Sequence, residues 1–150
     1  MPPPEIWGPP TWTLLHVLAE KINEEHFQVL LPHLFNHIKR ICSFLPCPEC
    51  SHHAKQFFDK INIKDIKTKL DLKNIIYIFH NVVNTRKKKP LFVYSQIDKY
   101  KNIPITNAYN SFIVVYNTAG NLKLLTESFH RKFVINDFKK WLTNNIKYFI

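Results

Sequence analysis

Between Gly8 and Gly120 the chain has no glycine, and between Pro48 and Pro90 it has no proline. A stretch of that length without the residues that most often end regular backbone predicts helices. In "TWTLLHVLAEKI" the apolar positions Trp12, Leu15, Ala19 and Ile22 keep a helical period, with Thr11 as the cap after two prolines. His16 falls one turn from Trp12 on the same face. "FQVLLPHLFNHIKRICSFL" sets Leu31, Leu34, Ile38 and Ile41 on one stripe, and Pro32 must kink that helix or sit in its first turn. A third helix starts at Pro48, a residue suited to the first helical position, so Cys47 becomes its cap. Cys50, Ala54, Phe57 and Ile61 then share a face. The fourth, "LDLKNIIYIFHNVVNTRKKK", stripes Leu72, Ile75, Ile76, Phe79 and Val83, with His80, Asn84 and Lys87 on a neighbouring line. Four amphipathic helices of this length predict a bundle.

Beyond Pro104 the pattern changes. "SFIVVYNTAGNLKLL" is β-branched and apolar on both sides of an Asn- and Gly-containing turn, which predicts a β-hairpin. "INDFKKWLTNNIKYFI" follows with Phe138, Trp141, Leu142 and Phe149 at helical spacing. The expectation is a mainly α chain: a bundle over residues 1–103, and a small C-terminal α/β appendage of hairpin plus helix over 104–150. At 150 residues and 45% apolar composition the chain can fill one such core.

The opening "MPPPEIWGPP" lacks the basic and apolar runs of a secretory signal, and no apolar run approaches the ~20 residues that cross a bilayer. A soluble, non-secreted protein without membrane association is expected. The formal charge of +10 invites a nucleic-acid partner. Against this, only three of the 21 basic residues are arginine, and the lysines outside "NTRKKKP" are scattered, so no specific nucleic-acid binding is expected.

Three cysteines are too few for a disulfide scaffold, so the pair in "LPCPECSHH" carries the chemistry. A thiol at a helix N-terminus lies in the positive end of the macrodipole, which favours the thiolate that attacks disulfides. Cys47 and Cys50 are thus suited to dithiol–disulfide cycling. A metal reading draws on His52 and His53 but lacks a second cysteine pair, and a structural staple is the third alternative. A thioredoxin-like module is disfavoured because the flanking segments read as helices. If the pair is redox-active, its electron acceptor is not held by a Gly-rich turn, since none exists. Helix-borne groups must serve: Trp12 and His16 over a flat ring, His80, Asn81 and Asn84 as hydrogen-bonding groups, and Arg86, Lys87 and Lys89 against a pyrophosphate.

In motif order and spacing, "WTLLHVLAEK", "LPCPEC" and "HNVVNTRKKKP" resemble the Erv/ALR family of FAD-linked sulfhydryl oxidases, across residues 7 to 100. The resemblance implies four helices plus a short fifth, forming an FAD-binding bundle with the redox disulfide against the isoalloxazine. By position it makes Cys50 the flavin-proximal cysteine and Cys47 the one that meets the substrate thiol. It places Trp12 and His16 along the flavin, His80, Asn81, Val83 and Asn84 on the adenine and ribose side, Arg86 and Lys89 near the phosphates, and Trp7, Gly8, Lys87 and Tyr100 as further cofactor contacts. Lys87 and Lys88 stand where relatives are apolar or small, and Tyr100 lies near a position where relatives carry tryptophan. A structural disulfide found in many relatives is missing, as is a second cysteine pair. A thiol-bearing substrate or a separate CxxC-type shuttle protein would therefore deliver electrons, with oxygen as acceptor and hydrogen peroxide as product, as in the short forms encoded by large DNA viruses. A homodimer is implied, and a place in the host cytoplasm or virion. The rival expectation is a non-enzymatic zinc- or nucleic-acid-binding helical module.

Overall fold

The computed structural model describes residues 3–117 and 122–150. Its order is α1 (Pro4–Lys21), α2 (Phe27–Ser43), α3 (Pro48–Asp59), a 3₁₀ turn (Ile63–Asp65), α4 (Lys69–Arg86), a 3₁₀ helix (Tyr94–Asn102), α5 (Ile105–Tyr116), α6 (Leu122–Asn145) and a terminal 3₁₀ turn (Ile146–Phe149). Among the described residues there is no strand.

Helix α1 begins at Pro4, seven residues before the expected cap. Pro3 enters it in extended conformation, Pro4 takes a first-turn position, and Pro9 and Pro10 lie inside the helix. Thr11 is not a cap: its hydroxyl donates to the Trp7 carbonyl one turn back, at 2.7 Å. The unbroken run from Leu14 to Glu20 is buried, so α1 is enclosed on nearly all sides, packing on α4, α5 and the 3₁₀ helix. Helix α2 buries the expected Leu31, Leu34, Ile38 and Ile41 against α3 and α6. Pro32 sits past its first turn, on the exposed side.

Helix α4 starts on a capping box. Thr68 Oγ1 accepts the Asp71 N–H at 3.2 Å, and the Asp71 carboxylate accepts the N–H groups of Thr68 and Lys67. It ends on a Schellman turn, in which the N–H of Lys88 bonds the Thr85 carbonyl and that of Lys89 the Asn84 carbonyl. Lys88 occupies the left-handed position of that turn, φ 57°, where glycine is the usual residue.

The expected hairpin is overturned. Residues 105–116 are helical, and Ile105, Ala108, Phe112 and Tyr116 are buried at intervals of three and four. A strand would put Phe112 and Val114 on one face, yet Phe112 is fully buried and Val114 is 75% exposed. Packing on α1 outweighs the local β preference of Ile113, Val114 and Val115. The expected turn, residues 118–121, lies outside the described residues. Among its described residues the C-terminal part is therefore helical, not α/β, and its Phe112, Phe138 and Phe149 join the bundle core. Tyr116 donates its hydroxyl to the Ile41 carbonyl at 2.8 Å, and Arg40 pairs with Asp137 at 2.9 Å, tying this part to α2. His37 is buried between Phe138 and Trp141 because α6 covers that face of α2.

Candidate functional site

Cys47 caps α3 as its spacing predicts. Its backbone is extended, Pro48 opens the helix, and its Sγ accepts the Cys50 N–H at 3.2 Å. The two cysteines are joined as a disulfide, with their Cα atoms 5.2 Å apart. Cys47 is half-buried, whereas Cys50 is 9% exposed and faces a cavity of about 450 Å³. That volume falls within the ~300–1,000 Å³ of small-molecule sites.

Helix α1 gives the cavity Trp7, Gly8 and Trp12, and α4 and its end give His80, Val83, Asn84, Arg86, Lys87 and Lys89. Tyr100 joins them from the 3₁₀ helix. An added Cβ at Gly8 would meet no atom within 4 Å, so the glycine leaves that wall open. Two of the residues singled out in the sequence stand behind the wall. His16 is 3% exposed, with Nε2 at 2.9 Å from Nδ1 of His80 and its ring stacked on Tyr100. Asn81 spends its amide on the backbone of Phe92, accepting its N–H at 2.7 Å and donating to its carbonyl at 3.1 Å. Asn84 donates to the Pro90 carbonyl at 3.2 Å. These bonds lay the 90–94 segment along α4.

Sequence reasoning missed Leu45, Phe79, Phe92 and Lys99 as lining residues. Phe79 was visible on the α4 stripe beside Val83. Phe92 carries no motif; Asn81 brings it in. Together they build an aromatic stack: His80 lies on Trp12 at 4.0 Å between centroids and 6° between planes, with Phe92 on the side at 4.7 Å. Such a wall fits a flat heteroaromatic group.

Burial sets the electrostatics. The imidazole of His16 is held down to about 3 by burial, then by the adjacent His80 and by Lys99. His80 is lowered to about 4 by burial and by Lys99 and Lys89. Both rings are neutral near neutrality, so their mutual hydrogen bond is between uncharged imidazoles. Arg86, Lys87, Lys89 and Lys99 make one side of the cavity strongly cationic. Lys87 reaches over Trp7, its Nζ 5.7 Å from the ring, and burial followed by Lys89 and Arg86 lowers its ammonium. The indole Nε1 of Trp7 is buried without a partner, a donor the cavity offers to a bound acceptor. Cys42 also lines the cavity, but it is 1% exposed and burial pushes its thiol up, so it stays a thiol. No group of three His, Cys, Asp or Glu side chains able to hold a metal ion exists among the described residues.

The chain matches the model of the Erv1/Alr family over residues 9–102. Its relatives include a protein described as putative FAD-linked sulfhydryl oxidase 347L, from Invertebrate iridescent virus 6. The two are 30% identical over 94 residues, covering 59% of this chain and 85% of the relative. An FAD-linked sulfhydryl oxidase of African swine fever virus is 32% identical over 101 residues, covering 65% of this chain and 78% of its own length. The putative FAD-linked sulfhydryl oxidase 096R of Invertebrate iridescent virus 3 is 28% identical over 102 residues, covering 67% and 69%. No solved structure matches the chain. The family match runs from α1 through the 3₁₀ helix after α4 and takes in the disulfide, the aromatic stack and all four cavity cations, so this chain belongs to the Erv1/Alr family.

Proposed function

We propose that the chain is an FAD-dependent thiol oxidase that forms disulfide bonds in substrate proteins at Cys47 and Cys50, with oxygen as final acceptor and hydrogen peroxide as product. One observation carries the reading: a disulfide at a helix N-terminus forms part of the same wall as an aromatic, cationic cavity. The residues fit FAD. The Trp12–His80–Phe92 stack matches a flat ring, Trp7 Nε1 is a buried donor without a partner, and Arg86, Lys87, Lys89 and Lys99 match a pyrophosphate. Among the expected contacts, Gly8, Val83, Asn84 and Tyr100 complete the lining, while His16 and Asn81 hold His80 and Phe92 in place.

The chemistry follows from the helix start. A substrate thiolate attacks Cys47, the less enclosed sulfur; a mixed disulfide forms, the Cys47–Cys50 bond breaks, and Cys50 leaves as thiolate. A second substrate thiol displaces Cys47, so two substrate thiols become one disulfide and the enzyme pair holds the two electrons. The α3 macrodipole stabilises thiolate at both positions, and the Cys50 N–H bonds the Cys47 sulfur directly. FAD, when bound, supplies a two-electron acceptor that restores the enzyme disulfide and passes the pair to oxygen.

Cys42 is the one other cysteine of the chain and is buried, which supports delivery of electrons by a separate thiol protein or CxxC-type shuttle. Homodimerisation through the bundle helices belongs to the same reading, with Val29 of α2 exposed at 73%. The viral relatives support a virus-encoded enzyme of the cytoplasm or virion; among the described residues no helix is long and apolar enough to cross a membrane. The test is oxygen uptake with a small dithiol, with peroxide measured in parallel. Uptake that Cys50→Ser abolishes while FAD stays bound is the expected result. A colourless protein that carries stoichiometric zinc and consumes no oxygen would overturn the reading.

A further inference from the structure

Cys50 is held by α3, but Cys47 precedes the helix on extended backbone, φ −155° and ψ 107°. Beside the Cys50 N–H on its sulfur, the side chain that fixes Cys47 is Ser51, one residue past the motif and 9% exposed. Ser51 Oγ accepts the Leu45 N–H at 2.8 Å and has its one proton for the Cys47 carbonyl at 3.1 Å, with the Leu45 carbonyl at 3.3 Å as the alternative acceptor. The Ser51 N–H bonds the same Cys47 carbonyl at 2.9 Å. One residue therefore ties the whole 45–47 turn to the first turn of α3. Leu45 and Pro46 are buried, so without the hydroxyl the Leu45 N–H would have no ready partner in water.

This matters when the pair is reduced. The covalent bond then no longer holds the sulfurs together, and the chance of re-forming it depends on how firmly Cys47 is kept beside Cys50. We propose that Ser51 is a positioning residue for the thiol–disulfide couple: its hydroxyl keeps Cys47 against Cys50 in the reduced protein and so shifts the couple toward the disulfide. The inference rests on the redox reading of Cys47 and Cys50 and adds a determinant of how oxidising the pair is. Ser51 touches no reacting atom; it acts through the turn.

The test is a glutathione titration of the full chain, followed by trapping free thiols. Two glutathione thiols reduce the protein disulfide to a dithiol and leave as glutathione disulfide, and the titration is run without oxygen, in the same flavin state for every variant, so that turnover does not enter. Ser51→Ala is expected to weaken the disulfide about tenfold relative to glutathione, or about 30 mV, and Ser51→Thr, which keeps the hydroxyl, to recover most of that. Ser43→Ala, which removes a comparable hydroxyl bond to the Lys39 carbonyl within α2, should leave the equilibrium unchanged. Equilibria for Ser51→Ala and the parent within about twofold would overturn the proposal, as would equal shifts in Ser43→Ala and Ser51→Ala. A second measurement needs no variant: in the reduced parent the Leu45 amide should stay protected from hydrogen exchange, and its free exchange would overturn the proposal even if Ser51→Ala failed to fold. A parent pair that never equilibrates with glutathione would instead overturn the redox reading itself.

Discussion

Lowering the pH should destabilise the cavity wall through His16, and the size of the effect follows from its surroundings. His16 is 3% exposed, faces His80 of α4 and Lys99 and Tyr100 of the 3₁₀ helix, and is held down to about 3. In the unfolded chain it titrates near its ordinary value of 6.5. Between those values the unfolded chain binds a proton that the folded chain refuses, so stability is whole above about 6.5 and falls as the pH drops through the window toward 3. At ~1.4 kcal/mol per pH unit, His16 alone removes about 2 kcal/mol by about pH 5. His80, more open to solvent, adds about half of that after screening. The assay is urea unfolding at about pH 7 and about pH 5, comparing the parent with His16→Gln in the same flavin state. The variant should lose about 2 kcal/mol less than the parent on acidification. Equal losses, within about 0.5 kcal/mol, would show that burial of a neutral imidazole at this position is not what links acid to stability.

Three further outcomes probe other parts of the account. Lys88→Gly should raise stability by about 0.5–1 kcal/mol in thermal or denaturant unfolding, because it relieves the left-handed backbone at the end of α4; a loss would mean that the Schellman turn is misassigned. Phe112→Ala should cost about 3–5 kcal/mol, because the ring is fully buried where α5 meets the bundle; a cost under about 1 kcal/mol would detach α5 from the core. Asn81→Ala orphans two backbone groups of Phe92. It should cost about 2 kcal/mol and weaken FAD binding about tenfold, read by flavin fluorescence; unaltered affinity would show that Phe92 is held by something else.

Much of this was legible in the sequence where local and global preferences agree. Leu72, Ile76 and Phe79 recur at helical spacing and are buried together. Cys47, Pro48 and Cys50 define a cap, a first position and a first-turn residue with no tertiary information needed. The reading failed where packing overrides the chain's local preference. The β-branched Ile113, Val114 and Val115 read as strand, and only the contact of α5 with α1 makes Ala108, Phe112 and Tyr116 a helical face. The first cap was missed because Pro9 and Pro10 look like breakers, although both lie inside α1, as its sixth and seventh residues, and the burial of the helix outweighs the two backbone bonds they remove. At the site, His16 and Asn81 lie on helical lines that point to the cavity, but no spacing rule tells that one would spend its polar atom on His80 and the other its amide on Phe92.

The central claim is that Cys47 and Cys50 exchange electrons with a flavin held by this chain. Its most direct test is the flavin absorption band near ~450 nm, followed in the purified protein without oxygen as a dithiol is added. The account predicts a yellow protein whose band bleaches with the parent chain and persists with Cys50→Ser. A band indifferent to dithiol in the parent, or a chain that stays colourless after soaking with FAD, would contradict it.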